Sequence, residues 1–316
     1  MPRPELPADR HGFVRADVAR ARGQSAPLRS AHAAGELVRL RRGVYADRSA
    51  FSGLAPVARH AERARAVAAQ RRDPVFAGVT AAVLHGLPVV GRVPEEIFVL
   101  SGTASGRRRN GVVELGRRGT ETVDEVDGLR LTTVEESLIE VARRMPHLTA
   151  LVMADAALLV PRFGARAPRC TPESLARAYL ERLPFPSSRP AAAMIERAVT
   201  CAETPLETVS RARLDEFGAP PPRLQESVSL PRLGSTVFLD FAWPELGVWG
   251  EADGRGKYAG AGSSGDPREV LLAEKRREDE IRAVTGWRCV RWGWDDAWRP
   301  AAFRAILAAA GIPMRR

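Results

Sequence analysis

The sequence contains very little lysine and little cysteine. Of its 48 basic residues only Lys257 and Lys275 are lysines, so we expect an ammonium group to be needed at those two places. The three cysteines are scattered and lack metal-ligand spacing, which disfavours a disulfide framework and a structural zinc site. All five histidines fall in the first half of the chain. Any catalysis in the second half would therefore depend on carboxylates, lysine and water.

Long hydrophobic runs are also missing. The longest apolar stretch, residues 148–160, is interrupted by Asp155 and is shorter than the roughly 20 residues that a membrane-spanning helix requires. No charged and then apolar leader follows Met1. We expect no membrane segment and a cytoplasmic location.

The charge is strongly positive, with a formal net value of +10 at pH 7. A basic surface favours polyanions, because neutralised phosphates release their counterions. The near-exclusive use of arginine is equally explained by a GC-rich coding sequence, so the charge raises the odds of nucleic-acid binding only modestly.

The chain length of 316 residues predicts two or three domains. The pattern along the chain is that of an α/β (α+β) protein. We divide it into a winged helix-turn-helix over residues 1–50, a mixed α/β region over 51–160, a helical linker over 161–195, and a C-terminal domain over 196–316.

The first segment has the pattern of a helix-turn-helix followed by a basic hairpin. Residues 13–22 carry apolar positions at helical spacing, Gly23-Gln24 supplies a turn, and Ser25 is predicted to cap a second helix over 26–34. Alternating residues over 36–46 predict a hairpin, and such a wing lies along the phosphate backbone of DNA in related motifs. The predicted base-reading residues are Arg29, Ser30 and His32, and the predicted phosphate contacts are Arg39, Arg41 and Arg42. A protein-docking module is the alternative.

The middle region shows no cluster that resembles an active site. Helices are predicted over 58–70 and 79–84, followed by strands at 97–100, 112–115 and 129–131 and by two further helices. The first of these two helices begins with a capping pattern from Thr133 to Glu136. His85 ends a predicted helix, so we interpret it as a capping or packing residue.

The C-terminal domain contains all six tryptophans, most of which we expect to be buried. Its pattern predicts a helix over 205–217, strands near 224–230, 237–242 and 248–252, a helix over 267–284, a strand over 289–292 and a helix over 296–310. This is the order αβββαβα.

Acidic residues lie in or directly after the second and third of these strands. Asp240 and Glu251 belong to strands joined by a short turn, and neighbouring strands lie about 5 Å apart, so the two carboxylates could share one hard cation. Solvated strand ends are the alternative. Glu207 follows Thr204 at capping-box spacing, so a structural role as a helix cap competes with a role as a ligand.

The order of elements, with these acids in place, resembles the PD-(D/E)XK nuclease superfamily, in particular the branch related to very-short-patch-repair endonucleases. The resemblance covers about residues 196–298 and implies an αβββαβ restriction-endonuclease-like core with a Mg²⁺ (or Mn²⁺) site. It implies that Asp240 and Glu251 are direct metal ligands, that Glu207 is a ligand through water, and that Asp253 is a ligand or supporting group. Lys257 would orient water or stabilise the transition state, with Lys275 as the second candidate. The third strand departs from the usual acid-x-Lys pattern, because Asp253 stands where lysine is expected and Lys257 follows four residues after it.

The N-terminal two-thirds resembles AbiEi-type antitoxins of type IV toxin–antitoxin systems. The resemblance rests on Gly12 to Tyr45 and on Ala81 to Pro88. It implies a DNA-binding repressor with a cognate toxin.

Together these patterns predict a DNA-binding protein with a Mg²⁺-dependent endonuclease domain, associated with defence or with a toxin–antitoxin system. The alternative is a catalytically inactive transcriptional regulator or antitoxin that uses the nuclease-like fold for DNA binding or for forming a homodimer.

Overall fold

A computed structural model describes residues 6–164, 167–253 and 267–315, without the side chains of residues 267, 270 and 271. The chain is a mixed α/β protein that divides into two compact units. Unit 1 comprises residues 1–157 and 169–197, and unit 2 comprises 158–168 and 198–316. No helix of the described residues is long and apolar enough to cross a membrane.

Unit 1 begins with a small helical and antiparallel part. Its elements are β1 (Val14–Arg15), α1 (Ala16–Ala21), α2 (Ser25–Ala33), β2 (Leu37–Arg41), β3 (Val44–Asp47) and α3 (Arg48–Gly53). The three strands form an antiparallel sheet in the order β1-β3-β2. Helices α1 and α2 pack through Ala19, Leu28 and Ala31, as their apolar spacing predicts.

The prediction that Ser25 caps the second helix is wrong. Ser25 is the first helical residue, Gln24 occupies the N-cap, and no side chain caps the helix by a hydrogen bond. The turn before it uses Gly23 at φ +69°, a conformation that glycine adopts without strain.

The rest of unit 1 is built on a mixed sheet. Its elements are α4 (Pro56–Ala68), β4 (Val75–Phe76), α5 (Gly78–Leu84), β5 (Ile97–Leu100), β6 (Arg107–Arg109), β7 (Val112–Leu115), β8 (Val123–Val126), β9 (Leu129–Thr132), α6 (Val134–Arg144), α7 (His147–Leu158), α8 (Pro172–Arg182) and α9 (Ser188–Arg197). Six strands lie in the order β6-β7-β5-β4-β9-β8. The predicted strands at 97–100, 112–115 and 129–131 are confirmed, and Thr133 caps α6 as expected.

His85 and the helices after β9 have structural roles in this unit. His85 ends α5, and its Nε2 lies 2.8 Å from the carbonyl oxygen of Thr132, so its interpretation as a capping or packing residue is confirmed. Helices α8 and α9 pack against α6, so much of the segment 161–195 belongs to unit 1. The finer domain boundaries stay predictions.

Unit 2 contains a four-stranded mixed sheet. Its elements are α10 (Pro205–Glu216), β10 (Arg223–Leu230), β11 (Ser235–Trp243), a 3₁₀ turn (Pro244–Leu246), β12 (Val248–Ala252), α11 (Pro267–Thr285), β13 (Arg288–Trp292), α12 (Trp294–Trp298) and α13 (Pro300–Ala309). The sheet order is β10-β11-β12-β13, in which the first three strands are antiparallel and β13 runs parallel to β12. The predicted order of helices and strands is therefore found, with two short helices in place of the last long one.

The tryptophans of unit 2 divide into buried and exposed ones. Trp243, Trp249 and Trp292 are at most 2% exposed and form much of the core, as expected. Trp294 and Trp298 are the exceptions, because they are 38% and 37% exposed and stack on one another. They lie one turn apart, on the same face of the five-residue helix α12, of which only Ala297 is buried.

Candidate functional site

The sheet of unit 2 brings Asp240 and Glu251 to adjacent positions. The register of β11 against β12 pairs Phe241 with Gly250, which sets the two acids beside each other on neighbouring strands. The Oδ2 atom of Asp240 accepts a hydrogen bond from the backbone N–H of Ala252 at 2.9 Å. The pairing of β11 with β12 thus holds the Asp240 carboxylate beside the last residue of β12. The sequence predicted that Asp240 and Glu251 lie close together on neighbouring strands.

Glu207 approaches the same place from the first turn of α10. It is 7% exposed, and its carboxylate accepts hydrogen bonds from Thr204 Oγ1 at 2.8 Å and from the Glu203 N–H at 3.0 Å. Burial and the charge of Asp240 raise the pKa of Glu207 to about 7. Glu207 therefore takes part in the N-terminal cap of α10 through Thr204 and lies within electrostatic reach of Asp240, while its role as a metal ligand stays a prediction.

Gln225 is a site residue that the sequence did not reveal. Its Nε2 donates to Glu207 Oε2 at 3.1 Å and is 3.4 Å from Asp240 Oδ1, while its Oε1 accepts from Arg162 at 3.0 Å. The three residues Glu207, Gln225 and Asp240 line a small cavity. One carboxamide thus bridges the two carboxylates.

The backbone at Gln225 is unusual. Gln225 lies between the register pairs Leu224–Phe241 and Glu226–Leu239, opposite Asp240, and has φ +54°. Non-glycine residues rarely adopt positive φ, and such residues concentrate at functional sites. A glutamine within an apolar strand pattern carries no signal in sequence, so only the fold shows its position.

Glu251 is surrounded by arginines. Its carboxylate lies 3.0 Å from Arg291 and 3.3 Å from Arg277, and Arg291 also pairs with Glu274 and Glu278. Burial raises the pKa of Glu251, and the two arginines oppose that rise. Burial by itself would lower the pKa of Arg291, but Glu251 and its neighbours raise it above the ordinary value. The acid predicted as a direct metal ligand therefore carries counter-charges from this chain.

Of the remaining predicted catalytic residues, neither Asp253 nor Lys275 forms a hydrogen bond or ion pair with these acids among the described residues. The backbone N–H of Asp253 donates to Trp292 at 3.0 Å, and the Asp253 carboxylate forms no hydrogen bond or ion pair with another described residue. Lys275 is exposed on α11. Lys257 lies outside the described residues.

The acids meet the requirements of a hard cation only in part. Among the described residues, no group of three or more His, Cys, Asp and Glu side chains could hold a metal ion. Magnesium keeps several waters and is commonly bound through one or two carboxylates. Glu207 and Asp240 meet that smaller requirement, because their oxygens converge on one amide nitrogen.

The predicted DNA contacts of unit 1 lie on α2 and on the β2–β3 hairpin. Arg29 and Ser30 are exposed, whereas His32 packs edge-on against Tyr45 and its Nδ1 lies 3.2 Å from the carbonyl oxygen of Leu37. His32 is thus partly committed to joining α2 to β2.

The hairpin arginines differ in exposure. Arg39 and Arg42 are exposed, whereas Arg41 is half-buried and donates from Nε to Gln70 Oε1 at 3.0 Å. The side chain of Gln70 also donates to the carbonyl oxygen of Arg42. Gln70 directly follows the C-cap of α4, so it ties the hairpin to that helix.

Comparison with protein-family models and with curated proteins gives no match to this chain.

Proposed function

We propose that this chain is a DNA-binding protein whose unit 2 is a Mg²⁺-dependent phosphodiesterase of the endonuclease type. The observation that carries the proposal is the convergence of Glu207 and Asp240 on Gln225, with the pKa of Glu207 raised by burial and by Asp240. Two carboxylates that lie close together repel each other, and a cation bound between them would stabilise both. The resemblance of 196–298 to PD-(D/E)XK nucleases supports the same assignment.

The mechanism assigns distinct roles to the side chains. A bound Mg²⁺ or Mn²⁺ ion would supply an activated water and neutralise charge on the phosphate. Asp240 and Glu207 would hold the cation, with Asp240 fixed by the Ala252 N–H and Glu207 by its cap hydrogen bonds. Arg277 and Arg291 hold Glu251 in place and add positive charge on that side of the sheet.

DNA binding is proposed for α2 and the β2–β3 hairpin. Arg29 and Ser30 would read bases, while Arg39 and Arg42 would contact phosphates. The exposure of these four side chains and the resemblance of the N-terminal region to AbiEi-type antitoxins support this assignment. A defence or toxin–antitoxin association follows from the same resemblance.

A second candidate is a catalytically inactive regulator. The observation that favours it is the pairing of Glu251 with Arg277 and Arg291, which occupies a predicted metal ligand with guanidinium groups. In this proposal unit 2 serves DNA binding or homodimer formation, and a cognate toxin is the partner.

Plasmid cleavage separates the two candidates. We expect metal-dependent nicking of supercoiled plasmid, reduced at least about 100-fold in Asp240→Asn, because the metal provides several kcal/mol of transition-state stabilisation. Asp215→Asn, an exposed acid on α10, is the matched control and should cleave like the unaltered chain. No cleavage by any protein, with salt-sensitive DNA binding retained, would instead support the regulator. Equal cleavage by both variants would overturn the assignment of Asp240.

A further inference from the structure

Unit 1 contains an open groove of about 1000 Å³ beside the β2–β3 hairpin. One wall is formed by the hairpin residues Arg39, Arg41 and Arg42. Arg63 of α4 and Arg92 of the segment before β5 also line the groove. Five arginines from three separate places in the sequence therefore line one groove.

Most of the groove arginines lack the carboxylate partners that several other arginines of unit 1 have. Arg39, Arg42, Arg63 and Arg92 form no ion pair with a carboxylate of the described residues. Several other arginines of the unit are paired, for example Arg107 with Glu114, Arg118 with Glu136 and Arg182 with Glu140. Positive charge in the groove is thus left without internal compensation.

Two acids at the groove reduce this excess without removing it. Glu96 is paired with Arg108 at 3.2 Å, so its charge is already balanced. Glu95 is the second acid of the lining. Like charges held close together repel, and burial together with Arg71 lowers the pKa of Arg41. An anion entering the groove would neutralise part of its positive charge.

Two of the groove arginines, Arg41 and Arg63, are held in place before any ligand arrives. Gln70 joins Arg41 and the carbonyl oxygen of Arg42 to the end of α4. The guanidinium of Arg63 lies over the ring of Phe51, 5.7 Å from its centroid. Ordering these side chains on binding therefore costs less entropy than ordering free surface arginines.

We propose that this groove binds a phosphodiester backbone and that Arg63 and Arg92 are phosphate contacts in addition to those of the hairpin. Arginines from three separate segments around one groove suit a ligand with repeated negative charges along its length. This inference rests on the proposed DNA-binding function and extends its contact surface beyond the helix and hairpin.

The test compares two double variants of the full-length chain with the same change in charge. In Arg63→Gln/Arg92→Gln the groove loses two arginines, whereas Arg177→Gln/Arg189→Gln removes two exposed arginines of α8 and α9. Binding of a labelled mixed-sequence duplex and of its single strand is measured by fluorescence anisotropy over a range of salt concentrations.

For the groove variant we expect weaker binding and a shallower salt dependence of log K, by about 0.9 for each phosphate that the variant no longer neutralises. The control variant should keep the slope of the unaltered chain. Arg63→Lys/Arg92→Lys retains the charges and should recover most of the slope. The duplex and the single strand show which form of nucleic acid uses the groove.

The outcomes separate this inference from the proposed function. An unchanged slope in the groove variant, or equal loss in both double variants, would overturn the groove assignment while leaving DNA binding intact. In that case an acidic protein segment becomes the better occupant. Absence of DNA binding by the unaltered chain would overturn the proposed function together with the groove. Matching circular dichroism spectra for all variants exclude unfolding as the cause of any loss.

Discussion

Glu207 and Glu251 are both largely buried in unit 2, yet their charges are balanced in different ways. Glu207 is held by neutral donors, namely a threonine hydroxyl, a backbone N–H and the Gln225 amide. Glu251 lies between the guanidinium groups of Arg277 and Arg291. Neutral donors do not cancel the charge of the Glu207 carboxylate, so binding a proton or a cation there stabilises it. The two guanidinium groups already cancel much of the charge of Glu251, so a proton or a cation stabilises it less. The comparison therefore favours Glu207 over Glu251 as a ligand in the proposed cation site.

The largest expected effect is on the pH dependence of stability. The folded protein binds a proton at Glu207 more tightly than the unfolded chain, so stability should fall as pH rises from 4.5 to about 7. Removing the charge with Glu207→Gln should flatten this fall, by roughly 2 kcal/mol between the two ends of the range. Urea unfolding in metal-free buffer, followed by circular dichroism, measures the change.

Glu216→Gln is the matched control, because it removes an exposed carboxylate from the same helix. It should leave the pH profile unchanged. If both variants retain the pH profile of the unaltered chain, folding does not raise the pKa of Glu207. The contrast between Glu207 and Glu251 would then be wrong.

A smaller effect is expected on the Glu251 side. Arg291→Met keeps the aliphatic stem but removes a guanidinium from a carboxylate whose side chain is 14% exposed, which should cost about 1–2 kcal/mol of unfolding free energy. Urea unfolding at neutral pH measures it. The control is Arg282→Met, which breaks the exposed pair with Glu278 on α11 and should cost at most about 0.5 kcal/mol. Equal losses would mean that the arginines do not stabilise Glu251.

The smallest expected effect distinguishes the contribution of the Gln225 side-chain amide to stability from that of its backbone conformation. Gln225→Gly removes the side-chain hydrogen bonds but suits φ +54°, and we expect a loss of about 1 kcal/mol. Gln225→Ala removes the same bonds and keeps the backbone strain, so it should lose about 1 kcal/mol more. Thermal unfolding ranks the two variants. Equal stability of the alanine and glycine variants would remove the backbone argument, and no loss in either would mean that the amide does not bridge the acids.

The order of helices and strands in unit 2 could be predicted, because β11 and β12 have strong apolar patterns and a short connection. The polar strands β6 and β8 of unit 1 escaped prediction, since exposed Arg107–Arg109 and the acidic Val123–Val126 lack an apolar alternation. Both belong to hairpins with Asn110-Gly111 and Asp127-Gly128 turns at positive φ. Those dipeptides are the signal that could have found the strands.

The candidate site was predictable only in its carboxylates. Acids in or just after apolar strands stand out in a sequence, so Asp240 and Glu251 could be placed on neighbouring strands. Gln225 and Arg291 could not be found in this way, because each reaches its partner through strand register or through a helix distant in sequence. Arginines are so frequent in this chain that no single one is distinguished by its type.

The confinement of all six tryptophans to unit 2 makes the two units optically distinct. Intrinsic emission excited at the indole band reports on unit 2 alone, because unit 1 contains no tryptophan. Trp292, buried against Phe241 and hydrogen-bonded to Ser210, would emit at short wavelength in the folded state, and the exposed Trp294–Trp298 pair would emit further to the red. A denaturation curve read by emission would therefore follow one half of the chain without interference from the other.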